Sequence, residues 1–150
     1  RKILEQGTAL GVAVMDFFGA DKGEPSYADS KLWTTDEWRN HLVKGVEQAF
    51  CSFLPEVSQW KNLESVLNTL PEEGPRLALD LYETEESLSP LSSGEVEQVV
   101  LAVGPERGWS SRERDLLRQN GFSLLHMGKR VLRQETACIA ALGILASDWW

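Results

Sequence analysis

The sequence predicts an α/β domain built on a mostly parallel sheet, with helices covering both faces of that sheet. Short apolar runs of strand length alternate with amphipathic stretches of helical length along the 150-residue chain. This alternation favours parallel pairing, because a helix between two strands returns the chain to the same end of the sheet. The length suits one domain, and no repeat or linker divides it. We therefore interpret residues 1–150 as a single domain.

The predicted strands are short apolar runs bounded by turn residues. Five are predicted, over residues 12–18, 56–60, 76–82, 96–103 and 122–127. Three connecting stretches are predicted as loops: a Gly-, Ser- and Pro-containing stretch at 19–31, an acidic one at 83–94 and a basic one at 128–133. The run 96–103 is the best candidate for a strand buried on both faces.

The predicted helices are recognised by apolar residues at helical spacing and by signals at their ends. They extend over residues 3–10, from 34 to Pro55, from 62 to 70, from 110 to 120 and from 135 to 146. A hydroxyl residue followed three positions later by Glu predicts a capping box at the start of a helix. This spacing occurs at Thr34 with Glu37 and again at Ser110 with Glu113.

The composition disfavours several classes of protein. Cys51 and Cys138 are far apart and form no Cys-x-x-Cys pair, and the chain has only two histidines, so neither a disulfide framework nor a metal site is expected. No apolar run reaches the roughly 18 residues that a membrane span needs. We expect a cytoplasmic protein, or an organellar one in a eukaryote, with no metal and no membrane attachment.

The formal net charge of −8 is unfavourable for nucleic-acid binding, since phosphate contacts need Lys and Arg. The average hides a local group of basic residues, which are Arg107, Arg112, Arg114, Arg118, Lys129, Arg130 and Arg133. One interpretation is a solvated helix face followed by a basic loop, and the other is a surface that contacts RNA. The residues alone leave both open.

Three segments follow predicted strands, where ligands bind in open α/β sheets. They are residues 82–84, 104–108 and 126–133. Glycine lets a backbone come close to a ligand, and loop amides can bond a purine or a carboxylate, although Gly-Pro-Glu alone also fits a plain turn. The chain has no Walker loop, no Gly-x-Gly-x-x-Gly and no Gly-x-Ser-x-Gly, and neither cysteine has an evident activating base.

Three motifs in the last third of the chain occur together in one known family. Residues 104–108 match a Gly-Pro-Glu-Gly-Gly loop, Ser110 with Glu113 matches a Ser-x-x-Glu helix start, and residues 127–137 match Leu-Gly-x-Arg-Ile-Leu-Arg-x-Glu-Thr-Ala. Weaker matches lie upstream, at residues 9–12 and at Glu47, Gln48 and Pro55. The chain thus resembles, over nearly its whole length, the bacterial family that methylates N3 of a uracil in 16S ribosomal RNA. That family belongs to the knotted α/β (SPOUT) class.

The resemblance implies S-adenosyl-L-methionine as the cofactor and a trefoil knot formed where 127–133 threads through an earlier loop, an exception to the rule against knots. The cofactor-binding residues that it implies are Leu81, Tyr82, Gly104, Pro105, Glu106, Gly108, Met127, Gly128, Val131 and Leu132. Arg107, Lys129 and Arg130 are implied as RNA contacts. The implied partners are small-subunit ribosomal RNA and a second copy of the chain. The family's amino-terminal PUA-like domain is absent or lies outside this chain.

Three positions depart from the family pattern. Arg107 stands where glycine is usual, so a large cation there would crowd the cofactor or contact RNA. Residues 51–53 cover a region where an arginine is usual, which removes an expected RNA contact. Gln134 replaces a threonine.

The expected chemistry is an in-line methyl transfer to a nitrogen that must lose its proton, in which positioning contributes most. Arg133 is predicted to stabilise negative charge on the uracil oxygens. Glu106 or Glu135 is predicted to take the proton or to hold Arg133, and the alternative for Glu135 is a charge at a helix start. The alternative for Arg130 is a phosphate contact alone, and His126 is expected to be structural more than catalytic.

Three other functions fit the sequence less fully. A degenerate paralogue would bind RNA or cofactor without turnover, which the departures at Arg107 and at residues 51–53 permit. A different α/β enzyme with a nucleotide or acyl cofactor would have an unknotted sheet, and it leaves residues 128–137 unexplained. A methyltransferase of the same class acting on another RNA position keeps the chemistry and changes the substrate.

Overall fold

The computed structural model describes residues 1–149. Within them, five strands pair in parallel: β1 Val14–Phe18, β2 Glu56–Trp60, β3 Arg76–Leu79, β4 Val100–Val103 and β5 Phe122–Leu125. The predicted α/β class with parallel pairing is confirmed. The strands form two sheets, β1-β2 and β4-β3-β5, where one sheet was predicted. Side-chain packing links them, since the Phe18 ring at the end of β1 stacks on Trp109 with centroids 6.2 Å apart.

Six α-helices lie among the described residues: α1 Lys2–Ala9, α2 Lys31–Thr34, α3 Glu37–Ala49, α4 Leu63–Leu67, α5 Ser111–Gln119 and α6 Gln134–Leu145. The stretch 19–31, predicted as a loop, contains a 3₁₀ turn at Pro25–Tyr27 and the first residue of α2. None of the helices within residues 1–149 combines the length and the apolar character needed to cross a membrane.

One of the two predicted capping boxes is present in the structure, and the prediction of the other is wrong. The Ser110 hydroxyl accepts from the Glu113 N–H at 3.1 Å, and the Glu113 carboxylate accepts from the Ser110 N–H at 3.1 Å. Thr34 instead ends α2 and donates its hydroxyl to the carbonyl of Ser30. A threonine hydroxyl that bonds the carbonyl four residues back competes with N-capping, and here that local bond is the one formed. The helix α3 therefore begins at Glu37 without the box.

Most predicted elements are shorter in the structure, and two boundaries differ most from prediction. The strand expected over 96–103 is restricted to β4, because the Val96 N–H turns back to the carbonyl of Ser92 at 3.1 Å. The helix expected to reach Pro55 ends at Ala49, because Phe50 adopts the left-handed conformation with φ +53°. A left-handed residue directs the chain out of a helix.

Helices cover the β4-β3-β5 sheet on both faces, as predicted. The middle strand β3 has the period of two that a doubly covered strand needs. Ala78 packs in one core with residues of α4, α5 and Trp109, whereas Leu77 and Leu79 pack in a second core with Ala141 and Leu145 of α6. A third core, of Leu4, Met15 and Leu42, joins α1 and α3 to β1.

Candidate functional site

The carboxyl ends of β4, β3 and β5 lie side by side, because these strands are parallel and adjacent. The loops that leave them, residues 80–84, 104–109 and 126–133, close around one cleft. This cleft is lined by all ten residues that were predicted to hold a cofactor: Leu81, Tyr82, Gly104, Pro105, Glu106, Gly108, Met127, Gly128, Val131 and Leu132. The structure thus brings three distant segments together where ligands bind in α/β sheets.

Several cleft-lining residues were not predicted. They are Leu79, Asp80, Val103, Trp109, Leu125, Gln134 and Ala137. Three of them are the last residues of β3, β4 and β5, so their strand-end position was a signal that sequence analysis could have used. These apolar side chains form the floor of the cleft beneath the three loops.

A buried ion pair fixes the loop after β3. The Arg114 guanidinium of α5 donates to both carboxylate oxygens of Asp80, at 3.1 and 3.0 Å, and the two side chains are only 7% and 1% exposed. Asp80 also accepts from the Glu83 N–H at 2.9 Å. The Asp80 carboxylate raises the pKa of Arg114, and the guanidinium lies over the Tyr82 ring, 5.9 Å from its centroid. The loop that carries Leu81 and Tyr82 is therefore held in place by the Arg114–Asp80 ion pair.

Trp109 anchors the loop after β4. Its ring is completely buried, and its indole N–H donates to the Leu79 carbonyl at 2.9 Å. Gly104 lies against this ring, because a Cβ there would be 2.9 Å from the nearest indole carbon. Gly108 has φ +76°, a conformation that favours glycine, and a Cβ there would lie 3.3 Å from the Tyr82 ring. Packing thus favours glycine at position 104, and the backbone conformation favours it at position 108.

Gln134 connects the third loop to the second. Its side-chain amide, in the first residue of α6, donates to the Gly104 carbonyl at 3.0 Å. This bond joins two walls of the cleft, and it is made by a residue that departs from the family pattern noted in the sequence.

The three predicted RNA contacts lie in and beside the cleft. Arg130 lines it, whereas Arg107 and Lys129 are exposed next to lining residues and do not line it. The concern that Arg107 would crowd a ligand is not supported, since its side chain is not among those that form the walls.

The three predicted catalytic residues are not equivalent in position. Glu106 lines the cleft and is exposed. Arg133 is exposed at the N-cap of α6, directly after the cleft-lining residue Leu132. Glu135 is half-buried in the first turn of α6 and does not line the cleft. A carboxylate in the first helical turn is stabilised by the helix dipole, as the alternative for Glu135 requires.

The seven basic residues between 107 and 133 divide into two sets. Those on α5 are paired with carboxylates: Arg112 with Asp21 and Glu64, Arg114 with Asp80, and Arg118 with Glu83. Within residues 1–149, the four on the cleft loops form no ion pair, and these are Arg107, Lys129, Arg130 and Arg133. The unpaired set leaves positive charge at the mouth of the cleft, although the chain as a whole is acidic.

Among the described residues, no group of three or more His, Cys, Asp or Glu side chains could hold a metal ion. Cys51 is exposed, and burial raises the pKa of the Cys138 thiol to about 11.

The model of the family described as RNA methyltransferase domain matches residues 1–146. The chain belongs to this family. The family resemblance recognised in the sequence is therefore confirmed.

Relatives and a solved structure agree with this assignment. The chain is 31% identical to ribosomal RNA small subunit methyltransferase E 1 of Borreliella burgdorferi, over 98% of this chain and 61% of that protein. It is 32% identical to ribosomal RNA small subunit methyltransferase E of Treponema pallidum, over 99% of this chain and 57% of that protein. A Legionella pneumophila methyltransferase, solved with its cofactor SAM bound, superposes with a TM-score of 0.76 at 26% identity, over 97% of this chain and 60% of that one. The chain thus spans about three fifths of the relatives that it matches.

Proposed function

We propose that this chain is the catalytic domain of an S-adenosylmethionine-dependent methyltransferase that acts on N3 of a uracil in small-subunit ribosomal RNA. The observation that carries the proposal is the single cleft on which three loops and all ten predicted cofactor residues converge. Membership of the RNA methyltransferase family supports the reaction class. The Legionella relative, solved with its cofactor, supports the choice of methyl donor.

The chemistry of the cleft fits this cofactor. Apolar residues at the ends of β3, β4 and β5 suit the flat faces of an adenine ring, and the loop backbone offers polar partners for its edge. An added Cβ at Gly128 would meet no atom within 4 Å, so the backbone there faces open space. When bound, the cofactor supplies a methyl group on a positively charged sulfur.

In this proposal, residues of the chain orient the acceptor base and manage its charge. The Arg133 guanidinium has no ion-pair partner among residues 1–149, so it is available to stabilise negative charge on the uracil oxygens. Glu106 lies on the cleft wall and is the better placed of the two carboxylates to take the N3 proton. Glu135 then supports α6. Arg107, Lys129 and Arg130 contact RNA phosphates.

We further propose that residues 127–133 pass through the β3–β4 connection as a trefoil knot. Leu125 accepts from the Asp80 N–H on the β3 side, whereas His126 pairs with Ser87. Consecutive strand residues direct their peptide groups to opposite edges. The β3–β4 connection therefore runs along the outer edge of β5 before it returns past β3 to β4. Residues 127–133, which follow β5, leave the strand inside the turn that this connection makes.

The proposed homodimer is supported by the composition of α6. Apolar side chains surround this helix, which is unusual unless it is buried on all sides. Several of them are only partly buried in one copy, namely Ile139, Ala140, Leu142 and Ile144. A second copy packed on α6 would cover them.

The proposal is tested by methyl transfer from labelled S-adenosylmethionine to small ribosomal subunits from cells that lack the corresponding modification, with the product nucleoside identified by mass spectrometry. We expect N3-methyluridine from the wild-type chain. An Arg133→Ala variant should lose about a hundredfold or more in turnover while its denaturation midpoint stays unchanged. Arg39→Ala, which removes an exposed arginine on α3, is the matched control.

Three results would contradict parts of the proposal. Near-normal turnover by Arg133→Ala removes that residue from the mechanism. A methyl group at another atom or nucleotide overturns the uracil-N3 assignment. Cofactor binding without any turnover indicates a degenerate paralogue.

A further inference from the structure

His126 bridges two segments through both nitrogens of its ring. Its Nδ1 accepts from the Gly128 N–H at 3.0 Å, and its Nε2 lies 3.2 Å from the Glu85 carbonyl. A backbone N–H can only donate and a carbonyl can only accept, so these contacts require a neutral ring with its proton on Nε2. The imidazole thus joins the acidic segment after β3 to the turn after β5.

The backbone of His126 is held independently of its side chain. Its N–H donates to the Glu86 carbonyl at 2.9 Å, and its carbonyl accepts from the Leu88 N–H at 2.8 Å. Replacement of the ring therefore leaves the backbone bridge in place and removes only the bonds to Gly128 and Glu85.

The turn that His126 contacts has no other hydrogen-bond partner among residues 1–149. In the described part of the chain, the bond from the Gly128 N–H to His126 is the only hydrogen bond made by residues 127–132. Gly128 has φ +101°, and its neighbours Met127, Arg130 and Val131 line the cleft. The hydrogen bonding of this cleft wall thus depends on one imidazole acceptor, and its other support is the packing of Met127 against the second core.

We propose that His126 is a positioning residue, whose neutral ring holds the Gly128 turn in the shape that receives the cofactor. The identity of that cofactor rests on the function proposed above. His126 itself does not line the cleft, so it acts through the turn and not on the reacting atoms.

Two substitutions with amide side chains allow the two ring contacts to be tested separately. The Oδ1 of His126→Asn occupies the place of Nδ1 and can accept from Gly128, whereas the Nε2 of His126→Gln occupies the place of the ring Nε2 and can donate to Glu85. His126→Ala removes both. Titration calorimetry with S-adenosylmethionine and amide exchange of Gly128 in the ligand-free chain, measured by NMR, are the readouts.

We expect His126→Ala and His126→Gln to weaken cofactor binding about tenfold, as loss of one hydrogen bond at this turn implies, and to speed exchange of the Gly128 amide. His126→Asn should stay within about twofold of wild type in both readouts. In turnover, KM for the cofactor should rise with kcat nearly unchanged.

Equal exchange of the Gly128 amide in all four proteins would overturn the positioning role, as would equal cofactor affinity. Failure of the wild-type chain to bind the cofactor would overturn the proposed function instead. The exchange comparison needs no ligand, so it decides the role of His126 in that case too.

Discussion

Helix α5 and the cleft loops carry the same kind of charge and use it in different ways. The arginines of α5 are paired with carboxylates from the segments after β1, β2 and β3. The cations of the cleft loops have no such partner within residues 1–149. The two sets lie within 27 consecutive positions and cannot be told apart by residue type. Pairing thus identifies which basic residues are available to an anionic ligand, and local charge density does not.

The difference also explains how an acidic chain can present a basic site. The α5 arginines form ion pairs with acidic side chains of neighbouring loops, and these pairs hold Asp21 and Asp80 in place. The remaining basic residues lie on the cleft loops, where within residues 1–149 they form no ion pair, although Glu106 also lines the cleft. A net charge of −8 is therefore compatible with local attraction of phosphate.

The largest effect is expected from Arg114→Ala. Removal of one partner of a buried ion pair leaves the other charge uncompensated, so the free energy of unfolding should fall by about 3–5 kcal/mol. Arg130→Ala, on the cleft loop, should change it by less than about 0.5 kcal/mol. Urea denaturation of both variants measures the contrast. Equal losses would mean that pairing does not separate the two sets.

For RNA binding, by contrast, we expect the cleft-loop residues to have the larger effect. The double variant Arg107→Ala/Arg130→Ala should reduce the slope of log affinity against log salt by about 1.4, since each contact with single-stranded phosphate contributes about 0.7. The matched control Lys31→Ala/Lys44→Ala removes two exposed cations from helices that do not line the cleft. Fluorescence anisotropy with a labelled 16S ribosomal RNA fragment gives both slopes. The same slope for both double variants would argue against the cleft cations as RNA contacts.

Local signals made much of the fold predictable. Alternation of strands and helices gave the α/β class, and Ser110 with Glu113 gave the start of α5, because both depend on residues a few positions apart. Thr34 shows where such signals mislead. Its hydroxyl could bond either the Glu37 N–H, as in a capping box, or the Ser30 carbonyl in the preceding turn. The structure contains the bond to Ser30.

The site was predictable as far as it follows strand ends and motifs. What could not be predicted is the pairing that joins segments distant in sequence, such as Asp80 with Arg114 and Gln134 with Gly104. Each of these side chains has many partners that sequence alone permits, and only the packed sheet selects one. Asp80, a charged residue directly after the apolar residues 77–79, was still a signal that a buried partner should exist.

A smaller effect, with a defined pH dependence, is expected at the amino end of α5. Bonds from Arg112 and then from Ser110 lower the pKa of Asp21 below its ordinary 3.8. A carboxyl whose pKa is lowered in the folded state stabilises that state at neutral pH, and this contribution is lost as pH falls through the folded-state pKa. The stability advantage of wild type over Asp21→Asn should therefore shrink below about pH 4. Urea midpoints from pH 7 to pH 2.5 measure it, and a constant difference would contradict the pairing.

The smallest effect concerns the two cysteines, where position again separates residues of one type. Cys51 is exposed, whereas Cys138 lies on α6, where burial raises the pKa of its thiol to about 11. The thiolate is the reactive form, so at pH 8 only about one Cys138 side chain in a thousand is ionised. An aromatic disulfide reagent should thus modify one thiol per chain rapidly, and Cys51→Ser should abolish this fast phase while Cys138→Ser preserves it. Rapid reaction of Cys138 in the Cys51→Ser variant would mean that α6 leaves its core often, a motion that would also open the cleft wall that Gln134 holds to Gly104.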